Sequence, residues 1–157
     1  MSKVYRFKTV QQIPVSLQAA WDFFSNPANL STITPPNMGF KMVSLYHGDT
    51  MYPGQIIEYK VKPVLGIPLY WMTEITHVED QKYFVDEQRF GPYSLWHHQH
   101  HFKAISGGVE MSDIVHYKIP FGILGDLSQA LFVRKELKSI FDYRIKAVER
   151  IFGRFPG

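Results

Sequence analysis

The stretch Leu95-Trp-His-His-Gln-His-His-Phe-Lys-Ala-Ile-Ser-Gly-Gly-Val-Glu-Met-Ser-Asp-Ile-Val-His-Tyr117 decides the fold. On either side of Ser106-Gly107 its residues alternate with period two, the pattern of two strands joined by a tight turn. With Ser106-Gly107 as a two-residue turn, Phe102 faces Met111, His100 faces Asp113, His98 faces Val115 and Trp96 faces Tyr117. A slip of one rung keeps the same faces and sets His98 against Tyr117 instead. Working outward, the period of two extends from Phe40 to Ile119 and predicts strands near 40–47, 54–62, 67–78, 82–90, 93–105 and 108–119.

Beyond Asp126 the period becomes 3.6. Leu127, Leu131, Leu137, Phe141, Ile145, Val148 and Phe152 form an apolar stripe on a long helix reaching about Ile151, opened by a capping-box-like pair of Asp126 and Gln129. At the other end, residues 4–13 alternate weakly as a strand. Ser16 caps a helix carrying Leu17, Ala20, Trp21 and Phe24, and Asn26-Pro27 starts a second short helix that Pro35-Pro36 ends. The order is strand, two short helices, a six-strand meander and a long helix. An antiparallel sheet with one wet face must cover the other, and the terminal helix is the large cover available. The expected class is α+β, a curved seven-stranded antiparallel sheet wrapped around the C-terminal helix.

The chain has 157 residues, so residues 1–157 are expected to form a single domain. With 45% hydrophobic and 20% charged residues the composition is globular, and without cysteine there is no disulfide, thiolate metal site or cysteine nucleophile. The longest nearly uncharged apolar stretch, Pro63 to Met72, is far short of the ~20 residues that span a membrane. Met1 to Lys8 lacks a hydrophobic signal core, which places the protein in the cytoplasm and leaves the sequon Asn29-Leu30-Ser31 without meaning. The net charge of +3 is small. Arg134, Lys135, Lys138, Arg144, Lys146, Arg150 and Arg154 are interspersed with acids, as on a solvated helix face. No basic, aromatic-interleaved patch points to nucleic acid. Glycine-rich nucleotide loops, the Gly-x-Ser-x-Gly elbow and His-Glu-x-x-His are all absent from the sequence.

Connections in a meander alternate between its two ends. One set (His47–Thr50, Glu79–Gln81, Ser106-Gly107) is polar; the other (Pro63–Pro68, Phe90–Tyr93, Pro120–Gly125) is apolar and rich in proline and glycine. Apolar loops at one end suggest a mouth leading into an apolar interior. Alternation puts Trp96, His98, His100 and Phe102 on the inner face and His97 and His101 on the outer one. The facing strand adds Met111, Asp113, Val115 and Tyr117 to the interior. Tyr59 and Trp71 belong to the inner faces of their strands, while the inner face of Phe84–Gln88 depends on whether a bulge intervenes.

Buried histidines next to a carboxylate have three readings: a structural His–Asp pair, a polar anchor in an apolar ligand cavity, or a catalytic or metal site using His98, His100 and Asp113. Two histidines from one strand plus Asp113 fall short of a usual ligand set, and a His–Asp hydrogen bond satisfies the same groups. No metal and no cofactor is expected.

The run Phe84-Val-Asp-Glu-Gln-Arg-Phe-Gly-Pro-Tyr93, Trp96-His-His-Gln-His100, Met111-Ser-Asp113 and Tyr117-Lys-Ile-Pro-Phe-Gly122 resembles a bacterial branch of the START/SRPBCC helix-grip superfamily. That superfamily includes birch-pollen-allergen-like proteins, lipid-transfer domains and polyketide cyclases. The likeness covers almost the whole chain. It implies a deep cavity between sheet and terminal helix, a small hydrophobic or amphipathic ligand, and Gln88 as a further cavity residue. The expected ligand-binding set is Tyr59, Trp71, Gln88, Trp96, His98, His100, Phe102, Asp113, Val115, Tyr117 and Phe121. The leading expectation is a binding protein, acting as a monomer or weak homodimer. Its alternatives are a cyclase-, dehydratase- or isomerase-type enzyme with a histidine acid or base, and a lipid carrier touching membranes transiently through Phe121, Ile123 and Leu124.

Overall fold

The computed structural model describes residues 3–44, 48–62, 66–120 and 126–156, with the backbone alone over 126–129. Strand β1 (Tyr5–Ile13) leads into helix α1 (Leu17–Phe24) and two 3-10 turns (Pro27–Ile33 and Pro36–Met38). Strands β2 (Lys41–Met42), β3 (Ile56–Val61), β4 (Leu69–Glu79), β5 (Tyr83–Phe90), β6 (Leu95–Ile105) and β7 (Gly108–Lys118) follow, then helix α2 (Asp126–Phe152). They form one seven-stranded sheet in the order β1-β7-β6-β5-β4-β3-β2, with every neighbouring pair antiparallel. The β6–β7 register is the two-residue-turn register: Trp96 opposes Tyr117, His98 opposes Val115 and His100 opposes Asp113.

Local chemistry explains the elements that differ from expectation. Helix α1 is capped as the sequence reads, the Ala19 N–H donating to Ser16 Oγ at 3.1 Å. The segment after Asn26 is a 3-10 turn because its short polar side chains compete for backbone groups. Asn29 Nδ2 donates to Phe23 O (2.9 Å), and Thr34 Oγ1 donates to Leu30 O (2.7 Å). Strand β2, expected over 40–47, pairs only at Lys41–Met42, because the Glu58 N–H turns to Ser44 Oγ at 2.7 Å and leaves the ladder. Residues 45–47 lie outside the described set, as do the Asp126 and Gln129 side chains and Leu127.

Helix α2 crosses the concave face with Ala130, Leu137, Phe141, Ala147 and Val148 buried. Leu131, expected in the stripe, points outward at 62% exposure, and Ala130 takes the inward position. Gln11 Nε2 donates to Ile145 O at 3.0 Å, tying β1 to the helix. The helix stops at Gly153, whose φ of 91° suits glycine, with its N–H on Glu149 O at 2.9 Å.

Two clusters make the core. Trp21 and Phe24 of α1 pack with Phe84, Phe102 and Met111, whereas Val115 and Tyr117 pack with Leu137 and Phe141 of α2. The β4–β5 ladder shifts register between Ile75 and His77 and again between Met72 and Thr73, which leaves Thr76 and Arg89 as extra residues. Past the Thr76 bulge, Val78 opposes Phe84 and Ile75 opposes Asp86, so even-numbered residues of β5 face the interior.

Candidate functional site

A cavity of about 170 Å³ lies between the concave sheet face and the helical layer, far larger than the ~10–15 Å³ that one water requires. Strands supply Ile57, Tyr59 and Val61, then Trp71, Thr73 and Ile75, then Phe84 and Asp86, then Trp96, His98 and His100. The helical side supplies Leu30, Ile33 and Met38 together with Leu137, Ile140, Phe141 and Arg144. Besides the polar cluster, the polar wall residues are Tyr59 and Thr73 on the strands and Asn26, Asn29 and Thr34 on the helical side, the last three bonded to nearby backbone groups. Trp71 Nε1 donates to Thr73 Oγ1 at 3.1 Å, and Tyr59 Oη lies 3.2 Å from the same oxygen, so these wall groups satisfy one another.

The polar cluster is built on three strands and a helix. His98 Nε2 lies 2.9 Å from Asp113 Oδ1, and His100 Nε2 lies 2.6 Å from Asp86 Oδ2. The cross-contacts are His98 Nδ1 to Asp86 Oδ2 at 3.4 Å and His100 Nδ1 to Asp113 Oδ1 at 3.0 Å. The second of these is short but off the hydrogen-bond line, so His100 Nδ1 makes no hydrogen bond. Arg144 from α2 sets its guanidinium 3.7 Å from Asp113 Oδ1 and over the rings of Phe24 and Phe141. His98, His100 and Asp113 are each only 5–6% exposed.

Burial and neighbours push these groups apart. Burial alone would raise Asp113, but the Arg144 charge and both histidines hold it well below the ordinary carboxylate range. Asp86 is likewise lowered, because His98, His100 and the Trp96 indole outweigh its burial. Burial and the adjacent His100 lower His98 despite the carboxylates. His100 goes the other way: the Asp113 and Asp86 carboxylates outweigh burial and raise it. The cluster therefore distinguishes two like residues, His98 with its pKa lowered and His100 with its pKa raised. With Asp113 ionised, the hydrogen-bond network assigns the proton of neutral His98 to Nε2.

Of the expected set, Tyr59, Trp71, Trp96, His98 and His100 stand on the cavity wall. Asp113 sits behind the histidines, within reach of both. Phe102 packs against Trp21 and Phe24, with ring centroids 5.4 and 5.8 Å away. Val115 and Tyr117 lie beneath α2, whose Leu137 and Phe141 cover them, so the inward face of β7 is core and not wall. Gln88, in β5, braces the β5–β6 connection: its Nε2 donates to Tyr93 O (2.7 Å) and its Oε1 accepts from the Tyr93 N–H (3.2 Å). Phe121, Ile123 and Leu124 fall outside the described residues, as does 63–65, so two of the three apolar connections do too. His97 and His101 are on the outer face, with His97 Nδ1 2.6 Å from Glu87.

Sequence reasoning missed Asp86 and Arg144. The parity of β5 was open without knowledge of the bulge, and Arg144 reads as one more cation on a basic helix. Its spacing of three from Phe141 and four from Val148 was the available signal, since it places Arg144 on the stripe facing the sheet. Among the described residues, no helix is long and apolar enough to cross a membrane.

No family model matches the chain, and no curated protein matches it in sequence. Solved structures do match in fold. A protein from Chromobacterium violaceum is 14% identical with a TM-score of 0.70, the match covering 96% of this chain and 99% of that one. Major latex-like protein 151 from Panax ginseng is 11% identical with a TM-score of 0.68, covering 95% and 97%. Ara h 8.0201 is 17% identical with a TM-score of 0.62, covering 96% and 98%. The likeness to these molecules is one of fold alone, and the chain has a helix-grip fold, a seven-stranded antiparallel sheet wrapped around a long C-terminal helix.

Proposed function

We propose that the protein binds a small hydrophobic or amphipathic molecule in the cavity, with an oxygen-bearing end of that molecule held by the His98–His100–Asp86 cluster. The observation that carries this reading is a buried cluster of ionisable side chains beside a wall rich in aromatic and aliphatic groups, among them Tyr59, Trp71, Phe84, Trp96 and Phe141. Removing apolar area from water supplies affinity at ~25 cal/mol per Å². A few converging polar groups then set orientation. Protonated His100 donates to a carbonyl or carboxylate, and neutral His98 accepts through Nδ1 from a hydroxyl. We read the chain as one ligand-binding domain, cytoplasmic, working as a monomer or weak dimer without nucleic acid.

Native mass spectrometry of protein purified from its own host tests this. The expected spectrum contains an added mass that dissociates on activation and that is lost in Trp71→Ala. A spectrum of bare protein, together with no uptake of hydrophobic carboxylates or ketones in vitro, overturns it.

A second reading is favoured by one feature, the opposite displacement of His98 and His100. An acid and a base side by side suit a cyclase-, dehydratase- or isomerase-type reaction on a bound carbonyl compound. Conversion of the extracted ligand on incubation, abolished in His100→Ala, distinguishes the enzyme from the binder.

A further inference from the structure

We propose that Asp86, His98 and His100 form a two-histidine, one-carboxylate site for a divalent first-row transition cation, with Asp113 as the outer carboxylate that orients His98. Asp86 Oδ2 lies 3.4 Å from His98 Nδ1 and 2.6 Å from His100 Nε2. All three residues offer donor atoms within 4.8 Å of one another. Ligands around a tetrahedral ion with bonds of ~2.0–2.1 Å stand about 3.3 Å apart. The His98–Asp86 spacing already has this value, and the His100–Asp86 pair has to open by about 0.7 Å. The sequence expectation of no metal counted His98, His100 and Asp113, whose groups a His–Asp hydrogen bond satisfies. The structure adds Asp86, which opposes Ile75 and so faces inward beside both histidines.

The remaining nitrogens strengthen the assignment. His98 Nε2 and His100 Nδ1 both approach Asp113 Oδ1, at 2.9 and 3.0 Å. At His98 this is a hydrogen bond to the far nitrogen, the arrangement that fixes the tautomer and raises the basicity of a ligating imidazole, whereas His100 Nδ1 stands off the hydrogen-bond line. Charge points the same way. Two carboxylates, Asp86 and Asp113, face one guanidinium, Arg144, and a cation would take the place of the proton that they favour on His100. Imidazole and carboxylate donors suit zinc, iron, cobalt or nickel, and three protein ligands leave a coordination position open toward the cavity. The inference is independent of whether a hydrophobic ligand binds.

The competing site for added metal is the outer face, where His97, His101 and His116 gather near Glu87. The experiment therefore titrates chelator-treated protein with Co2+ alone, read by visible absorption, and then displaces it with Zn2+. The expected result is saturation at one equivalent in the wild type and in a His97→Ala, His101→Ala double variant. Asp86→Asn and His100→Ala should weaken binding more than about 100-fold, and Asp113→Asn about 10- to 100-fold. Thermal melts establish that each variant is folded. If they are not, paramagnetic shifts in the wild type decide: bound Co2+ must displace the resonances of Phe84, stacked 4.1 Å from His100, before those of His116. Absence of saturable binding, unchanged affinity in a folded Asp86→Asn, loss in the outer double variant, or shifts centred on His116 overturns the proposal.

Discussion

The imidazole rings of His98 and His100 lie 3.7 Å apart, tilted by 36°, with one carboxylate reaching both from each side. At that separation two imidazolium charges repel strongly, so the second proton is harder to add than the first. Asp113 and Asp86 bias the first proton to His100, and burial and the adjacent His100 lower His98.

In the metal-free protein, Asp113→Asn should lower the His100 pKa, because it removes a carboxylate that raises it while keeping the shape of the side chain. Imidazole NMR titrations of wild type and variant measure this directly. An unchanged His100 midpoint would place Asp113 outside its electrostatic reach.

The same linkage predicts how stability depends on pH. The raised His100 pKa contributes stability that is fully present below the ordinary histidine value of ~6.5 and is lost as pH rises through the folded-state value. The lowered Asp86 and Asp113 contribute stability present above the ordinary aspartate range and lost as pH falls through their depressed values. Urea unfolding across pH should show the acid loss shrinking in Asp113→Asn. An acid limb identical to the wild type would contradict the assignment.

Arg144→Met should destabilise the fold by about 3 kcal/mol, the scale for removing one partner of a buried ion pair, even though methionine fills much of the space. Pairing it with Asp113→Asn should recover part of that loss. A double-mutant cycle by chemical denaturation reads the coupling; additive effects would mean that the two side chains do not interact.

Gly91→Ala should act on the cavity through Gln88. A Cβ at Gly91 would stand 2.4 Å from Gln88 Oε1, and the residue's φ of 157° is itself unusual for other residues. Displacing Gln88 frees the Tyr93 backbone, whose ring lines the cavity beside Trp71 and Trp96. The expected outcome is a loss of about 1–3 kcal/mol in stability, with the same direction in Gln88→Ala, seen as lower urea midpoints. Wild-type midpoints in both would remove Gln88 from its role as a clamp.

A ligand with a carbonyl or carboxylate should bind about tenfold more weakly to His100→Ala, the cost of about one hydrogen bond, while a pure hydrocarbon probe is unaffected. His97→Ala and His101→Ala should bind both like the wild type, since those rings face outward. Calorimetric titration with matched acid and hydrocarbon probes checks this. Equal losses for both would mean that His100 acts by packing alone.

The hairpin β6–β7 was legible to the residue, because a two-residue turn leaves no freedom in register and period two assigns each side chain a face. The long helix was legible from its stripe, although the outward Leu131 shows that the stripe bends off its expected line near the helix start. The 3-10 turn at Pro27–Ile33 was not, since helical spacing alone does not reveal side chains competing for the carbonyls. Residues on inner faces were identified correctly at His98, His100, Asp113 and Tyr117. Which of them border empty space depends on where α2 lies over the sheet, and that is a property of three-dimensional packing.

The extra residue at Thr76 has a consequence for how this protein can change over generations. On either side of it Val78 opposes Phe84 and Ile75 opposes Asp86, so excising Thr76 would join the two runs into one regular ladder with Phe84 and Asp86 still inward. Thr76 is thus a spare residue: substituting it or losing its codon leaves the chemistry of the interior in place. A comparison of related sequences should find both substitutions and single-residue gaps permitted at 76.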